Sequence, residues 1–115
     1  MDDHCDHWKD LGDALQLRRA APHEVAVGGE VIALFFVDET WYALDGLCAH
    51  QGGPIASGEL TAGDHGTCVT CPWHGWQYEL STGIQTVNRQ PLQRTFSVRE
   101  REGRLEVLLG GSREG

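Results

Sequence analysis

Four residues place the strictest demand on how this chain can fold: Cys48 and His50, separated by one residue, and Cys71 and His74, separated by two. Twenty residues lie between His50 and Cys71. Each motif offers one thiolate and one imidazole, so using them together requires two short loops that face each other. Two Cys and two His satisfy a single tetrahedral zinc ion. Cys-x-His is nevertheless a tight spacing for two ligands of one ion, and zinc motifs usually pair like with like. A two-iron cluster suits the pattern better, because each loop can send its Cys to one iron and its His to the other.

The ligand types carry their own electrostatics. Two ferric ions, two sulfides and two thiolates sum to zero formal charge, whereas four thiolates leave an oxidised cluster dianionic. Reduction of the neutral centre is easier, with potentials of about −150 to +300 mV against about −400 mV for plant-type ferredoxins. The electron is expected on the His-ligated iron, which makes the imidazole edges of His50 and His74 the candidate docking tip.

The chain has 115 residues, which predicts one domain with one modest core. Its dominant period is that of strands. Residues 25–27 and the continuous apolar run Val31 to Val37 flank Gly28-Gly29, and Asp38-Glu39 turns into a strand over 41–44. From 45 to 72 glycines and prolines dominate, with one predicted strand at 67–70. Residues 76–80 alternate large and polar, Ser81-Thr82-Gly83 turns, and 95–98 with 105–108 form a closing hairpin around Glu102-Gly103. Helix is weak, a turn or two over Lys9 to Leu17. The expected fold class is all-β, a small antiparallel barrel or sandwich. Its scaffold covers about 1–45 and 81–109, with a loop-bearing insert over about 46–80 and a polar tail at 110–115.

Seventeen acidic against nine basic side chains give a net charge of −8. A phosphate backbone would repel such a chain, so nucleic acid is excluded as a partner. The charge serves solubility or steers the protein toward basic patches on redox partners. No segment approaches the ~20 apolar residues of a membrane helix, and the acidic start Met1-Asp2-Asp3-His4 is unlike an export signal. The expectation is therefore a cytoplasmic protein with no membrane partner, in which Cys48 and Cys71 bind metal rather than form disulfides.

The run from Tyr42 to Pro54, containing Cys48-Ala49-His50-Gln51-Gly52-Gly53, resembles the first ligand loop of the Rieske family. Val69 to Tyr78, containing Cys71-Pro72-Trp73-His74-Gly75-Trp76, resembles the second, with Ser81-Thr82-Gly83 as the turn that follows. The resemblance covers most of the chain. It implies the Rieske fold, one [2Fe–2S] cluster on Cys48, His50, Cys71 and His74, and Gln51, Gly53, Trp73, Gly75, Trp76 and Tyr78 beside those ligands. Gly75 and the Gly52-Gly53 pair would allow close backbone approach to sulfur, and Tyr78 stands where the family's tyrosine donates toward a cysteine sulfur.

Departures within the family carry information. Rieske subunits of cytochrome bc complexes have an extra cysteine in each loop, joined as a disulfide, and a serine hydroxyl near a bridging sulfide. The matching positions here are Gly53, Trp73 and Trp76. Losing the hydroxyl lowers the potential. The pattern is closer to the low-potential ferredoxins of bacterial aromatic-ring dioxygenase systems. That resemblance implies a non-enzymatic electron carrier between a flavin-dependent reductase and the terminal oxygenase component. The alternatives are a small subunit of assimilatory nitrite reductase and, more remotely, a structural zinc domain. A dioxygenase large subunit would need a second domain with its own mononuclear iron.

The remaining residues of interest have plainer readings. Cys68 forms Cys-x-x-Cys with Cys71, but reads first as a buried strand residue. His4, Cys5 and His7 lack an evident fourth ligand for a second metal site. His23 and His65 are expected in solvent. Trp41 reads as strand core, whereas Trp73 and Trp76 wall the site from water, with docking as a further role for Trp73.

Overall fold

The computed structural model describes residues 7–47, 53–63, 66–73 and 75–109. Among the described residues, ten strands form three antiparallel sheets, an open, sandwich-like arrangement rather than a closed barrel. The apolar run lies at the centre. Strand β3 (Glu30–Val37) pairs on one side with β2 (His23–Val27) and on the other with β4 (Thr40–Asp45), whose far edge meets the two-residue β8 (Thr95–Phe96). Both hairpin turns need left-handed backbone. Gly28 and Gly29 supply it at φ 57° and 81°, while Asp38 and Glu39 adopt 52° and 63°, the geometry that matches strand twist in two-residue turns.

A strand covered on one face should alternate, and β3 does not, because both of its faces are covered. Ala33 and Phe35 point into one core with Leu44, Ile55, Val69, Cys71, Tyr78 and Leu80. Ile32 and Leu34 point into a second core with Ala14, Leu17, Ala43, Leu105, Val107 and Leu109.

The second sheet has the order β1 (His7–Asp13), β10 (Arg104–Leu109) and β9 (Val98–Arg101). Here the expectation of helix over Lys9 to Leu17 is corrected. Residues 7–13 are strand, and helix α1 occupies Ala14–Ala20, with the Asp13 side chain accepting from the Leu15 N–H at 2.9 Å. The pairing of β1 with β10 shifts between Asp10 and Gly12, where Gly12 has φ 127°. Such a bulge interrupts the period-2 pattern by which a strand is recognised. The expected closing hairpin is also divided. β9 and β10 form it, whereas β8 joins β4 in the first sheet.

The third sheet contains β5 (Glu59–Gly63), β6 (Gly66–Thr70) and β7 (Gln77–Glu79) in sequence order. β6 matches the one strand expected between 45 and 72, β7 lies within the alternating segment 76–80, and β5 is an addition. β5 is an exposed edge strand with Leu60 as its single large apolar residue, so its existence depends on the ladder to β6 rather than on hydrophobic pattern. No helix among the described residues is long and apolar enough to cross a membrane.

Candidate metal centre

Cys71 follows the last residue of β6. Across the ladder Thr70 faces Gln77, and one step beyond it the Cys71 N–H donates to the Trp76 carbonyl at 2.7 Å. Residues 71–76 are thereby closed at their base. The first motif is closed in the same manner. Leu47 and Pro54 form an isolated antiparallel bridge, and the Ile55 N–H donates to the Gly46 carbonyl at 3.0 Å. The residues that flank each motif are thus tied to one another by backbone hydrogen bonds.

The two loops meet at Gly53. A Cβ built on this residue would fall 2.8 Å from Cys71 Sγ and 2.9 Å from Trp73 Cγ, closer than van der Waals contact permits. The Cys71 side chain is 1% exposed, and its sulfur accepts the Trp73 N–H at 3.4 Å. A backbone donor directed at sulfur stabilises the thiolate form. Cys48, His50, Gln51, Gly52 and His74 lie outside the described residues, as do His4, Cys5, His65 and the tail at 110–115.

The other predicted neighbours fall into place unevenly. Tyr78 is fully buried in the same core as Cys71, and Trp76 packs against that core. Trp73 is 50% exposed. Gly75 has a conformational reason to be glycine. Its φ is 74°, and nothing described lies within 4 Å of a Cβ there, so the loop needs the left-handed backbone. Cys68 is the expected buried strand residue, and His23 is exposed at the start of β2.

Trp41 is the expected strand residue packed against a core, at its rim. It is half-buried at the edge of the second core, and its indole N–H donates to Glu100 at 2.6 Å. Arg18 clamps the same carboxylate at 2.7 and 2.8 Å, so the Arg18 and Trp41 hydrogen bonds hold Glu100 below the usual carboxylate range. An indole that must donate its N–H is better served at the rim of a core than inside it.

Two buried polar residues near the loops had no signal in the sequence. Glu79, 3% exposed, accepts from Arg89 at 2.6 Å and from the Thr82 hydroxyl at 2.8 Å. Gln93, 2% exposed, donates from Nε2 to the carbonyls of Asp45 and Leu47, each at 2.7 Å.

The profile of the Rieske [2Fe-2S] domain matches residues 7–97, which include both motifs. The chain belongs to the Rieske [2Fe-2S] domain family. Such a domain is an electron-transfer module that binds one [2Fe–2S] cluster through Cys and His ligands. A human Rieske domain-containing protein is 35% identical over 81 residues, 68% of this chain and 52% of its own length. The oxygenase component of a Rhodococcus rhodochrous 3-ketosteroid-9-alpha-monooxygenase is 33% identical over 72 residues, 62% of this chain and 18% of that protein. The chain therefore spans about half, or less, of these curated relatives. Among solved structures, one named for the small subunit of an NADH-dependent nitrite reductase from Mycobacterium tuberculosis superposes with a TM-score of 0.80 at 19% identity. It covers 91% of this chain and 96% of that one. A complex of oxygenase and ferredoxin of carbazole 1,9a-dioxygenase gives 0.75 at 21% identity, covering 91% of this chain and 29% of the other.

The described part of this Rieske domain fits the cluster. Gly53 leaves the space beside the Cys71 sulfur free of a side chain, the sulfur is screened from water, and a backbone N–H is aimed at it.

Proposed function

We propose that Cys48, His50, Cys71 and His74 hold one [2Fe–2S] cluster, and that the chain carries single electrons from a flavin-dependent reductase to an oxygenase-type acceptor without turning over a substrate itself. The observation that carries this reading is the buried Cys71 sulfur beneath Gly53, with the Trp73 N–H directed at it. One-electron uptake and release is the chemistry the bound cluster supplies. Cys71 contributes a thiolate, and Trp73 stabilises it through its N–H. Trp76 and Tyr78 keep water from the sulfur's inner side, which strengthens local electrostatics. Leu47 just before the first motif and Trp73 inside the second are exposed apolar side chains. Apolar residues around a redox tip suit brief docking of a partner protein.

The fold shared with the Mycobacterium tuberculosis structure over 96% of that chain supports a second reading, a subunit fixed within a nitrite reductase-like assembly. Stable co-purification with a large subunit would favour that reading over a freely exchanging carrier.

The primary test is EPR of the dithionite-reduced protein together with iron, sulfide and zinc analysis and voltammetry. The expected result is a rhombic mixed-ligand [2Fe–2S] signal, with a potential in the lower part of the range, about −150 mV. Colourless protein containing zinc and no acid-labile sulfide would overturn the assignment.

A further inference from the structure

We infer that Gln93 is a positioning residue for the first ligand loop, fastening the backbone immediately before Cys48 to the turn behind the second loop. The inference rests on the ligand reading above. Gln93 lies in a Pro91-Leu92-Gln93-Arg94 segment leading into β8 and has no charge, motif or periodicity to mark it. Its side chain is nevertheless almost fully enclosed, with both Asp45 and Leu47 carbonyls within 2.7 Å of Nε2. Leu47 is the last described residue before Cys48, so one amide group straddles Gly46 and holds the root of that loop from two sides. Arg94 adds to the grip, since its carbonyl accepts the Asp45 N–H at 2.7 Å.

The other end of this strap reaches the second loop. The Gln93 N–H donates to the Gly83 carbonyl at 3.1 Å, and a Cβ on Gly83 would meet the Gln93 carbonyl oxygen at 1.8 Å. Only glycine allows this approach, and its φ of 75° is a second reason for glycine there. Gly83 in turn donates to the carbonyl of Glu79 at 2.8 Å, at the end of β7, and β7 pairs with the strand that leads into Cys71. A continuous set of hydrogen bonds thus joins Leu47 to Cys71 through Gln93, Gly83 and β7. A glutamine that only satisfied core groups would have no reason to bond the two carbonyls that flank the first loop's root.

Gln85 supplies the comparison. It is similarly buried, 5% exposed, but its Oε1 accepts from the Val87 and Asn88 N–H groups of its own turn. Full-length, cluster-loaded wild type, Gln93→Leu, Gln93→Asn and Gln85→Leu are to be compared by EPR of the reduced state and by the rate at which a chelator bleaches the visible absorbance. In Gln93→Leu the EPR g-values should shift and bleaching should accelerate about thirtyfold, the effect of losing two hydrogen bonds worth about 1 kcal/mol apiece. Gln93→Asn, its amide one methylene short of the carbonyls, should shift in the same direction. Gln85→Leu should lose global stability while keeping wild-type g-values. A Gln93→Leu protein with wild-type g-values and bleaching rate overturns the inference. If that variant does not fold, Gln93→Asn decides by the same two measurements. Wild-type protein without a cluster would instead overturn the ligand reading and this inference together, so the two failures are distinct.

Discussion

At Gly53 a single absent methyl group separates the two ligand loops. The Trp73 side chain is half exposed and can yield, but the Cys71 sulfur is buried among core residues and cannot. Gly53→Ala therefore places a methyl carbon 2.8 Å from that sulfur. Overpacking of this kind costs about 1–3 kcal/mol. The expected outcome is a urea midpoint lowered accordingly and reduced iron per chain. Wild-type iron content at wild-type stability would show that the loops part without cost. The same position also explains why the sequence marks the candidate ligands more readily than their packing. Cys48, His50, Cys71 and His74 are conspicuous by type and spacing, whereas the demand for glycine at 53 arises from a residue 18 positions away. Gln93 is still harder to foresee, because its partners lie 46 and 48 residues earlier.

Among the elements, β3 and its neighbours were legible because an unbroken apolar run between turn residues has few alternatives to a doubly covered strand. β1 and β5 were not, the first because its bulge breaks the alternation and the second because an exposed edge strand needs little apolar content. The contact among α1, β4 and β9 at Glu100 is a feature only the fold creates. Arg18 from α1 and Trp41 from β4 both donate to this β9 carboxylate. Because its pKa is lowered in the folded state, Glu100 contributes stability above the ordinary carboxylate range. That contribution is lost as pH falls through the lowered folded value. Thermal melts across acidic pH should therefore show wild type more stable than Glu100→Gln near neutrality, with the difference narrowing as pH drops. A gap independent of pH would remove Glu100 from the acid response. Asp10, paired with Arg104 between β1 and β10, is shifted in the same direction and leaves part of the acid sensitivity in the variant.

For the whole molecule, the surplus of eight negative charges sets how it meets partners. Arg18, Arg89, Arg94, Arg99 and Arg104 are each engaged by a carboxylate on the chain itself, so little cationic surface offsets the acidic field. Association with a reductase or oxygenase bearing a basic face should slow about tenfold or more as salt screens the attraction. Stopped-flow electron transfer over a salt series measures this directly. A flat profile would mean that docking depends on the apolar side chains at the tip alone. The position of Cys71 has a further consequence, for the protein's fate in a cell. With its sulfur among the core side chains and β3 shared by both cores, a cluster held by Cys71 would add its binding free energy to the stability of the fold as well as of one loop. Iron starvation would then lower the amount of the protein as well as its activity, because a less stable unloaded chain is open to proteases for more of the time.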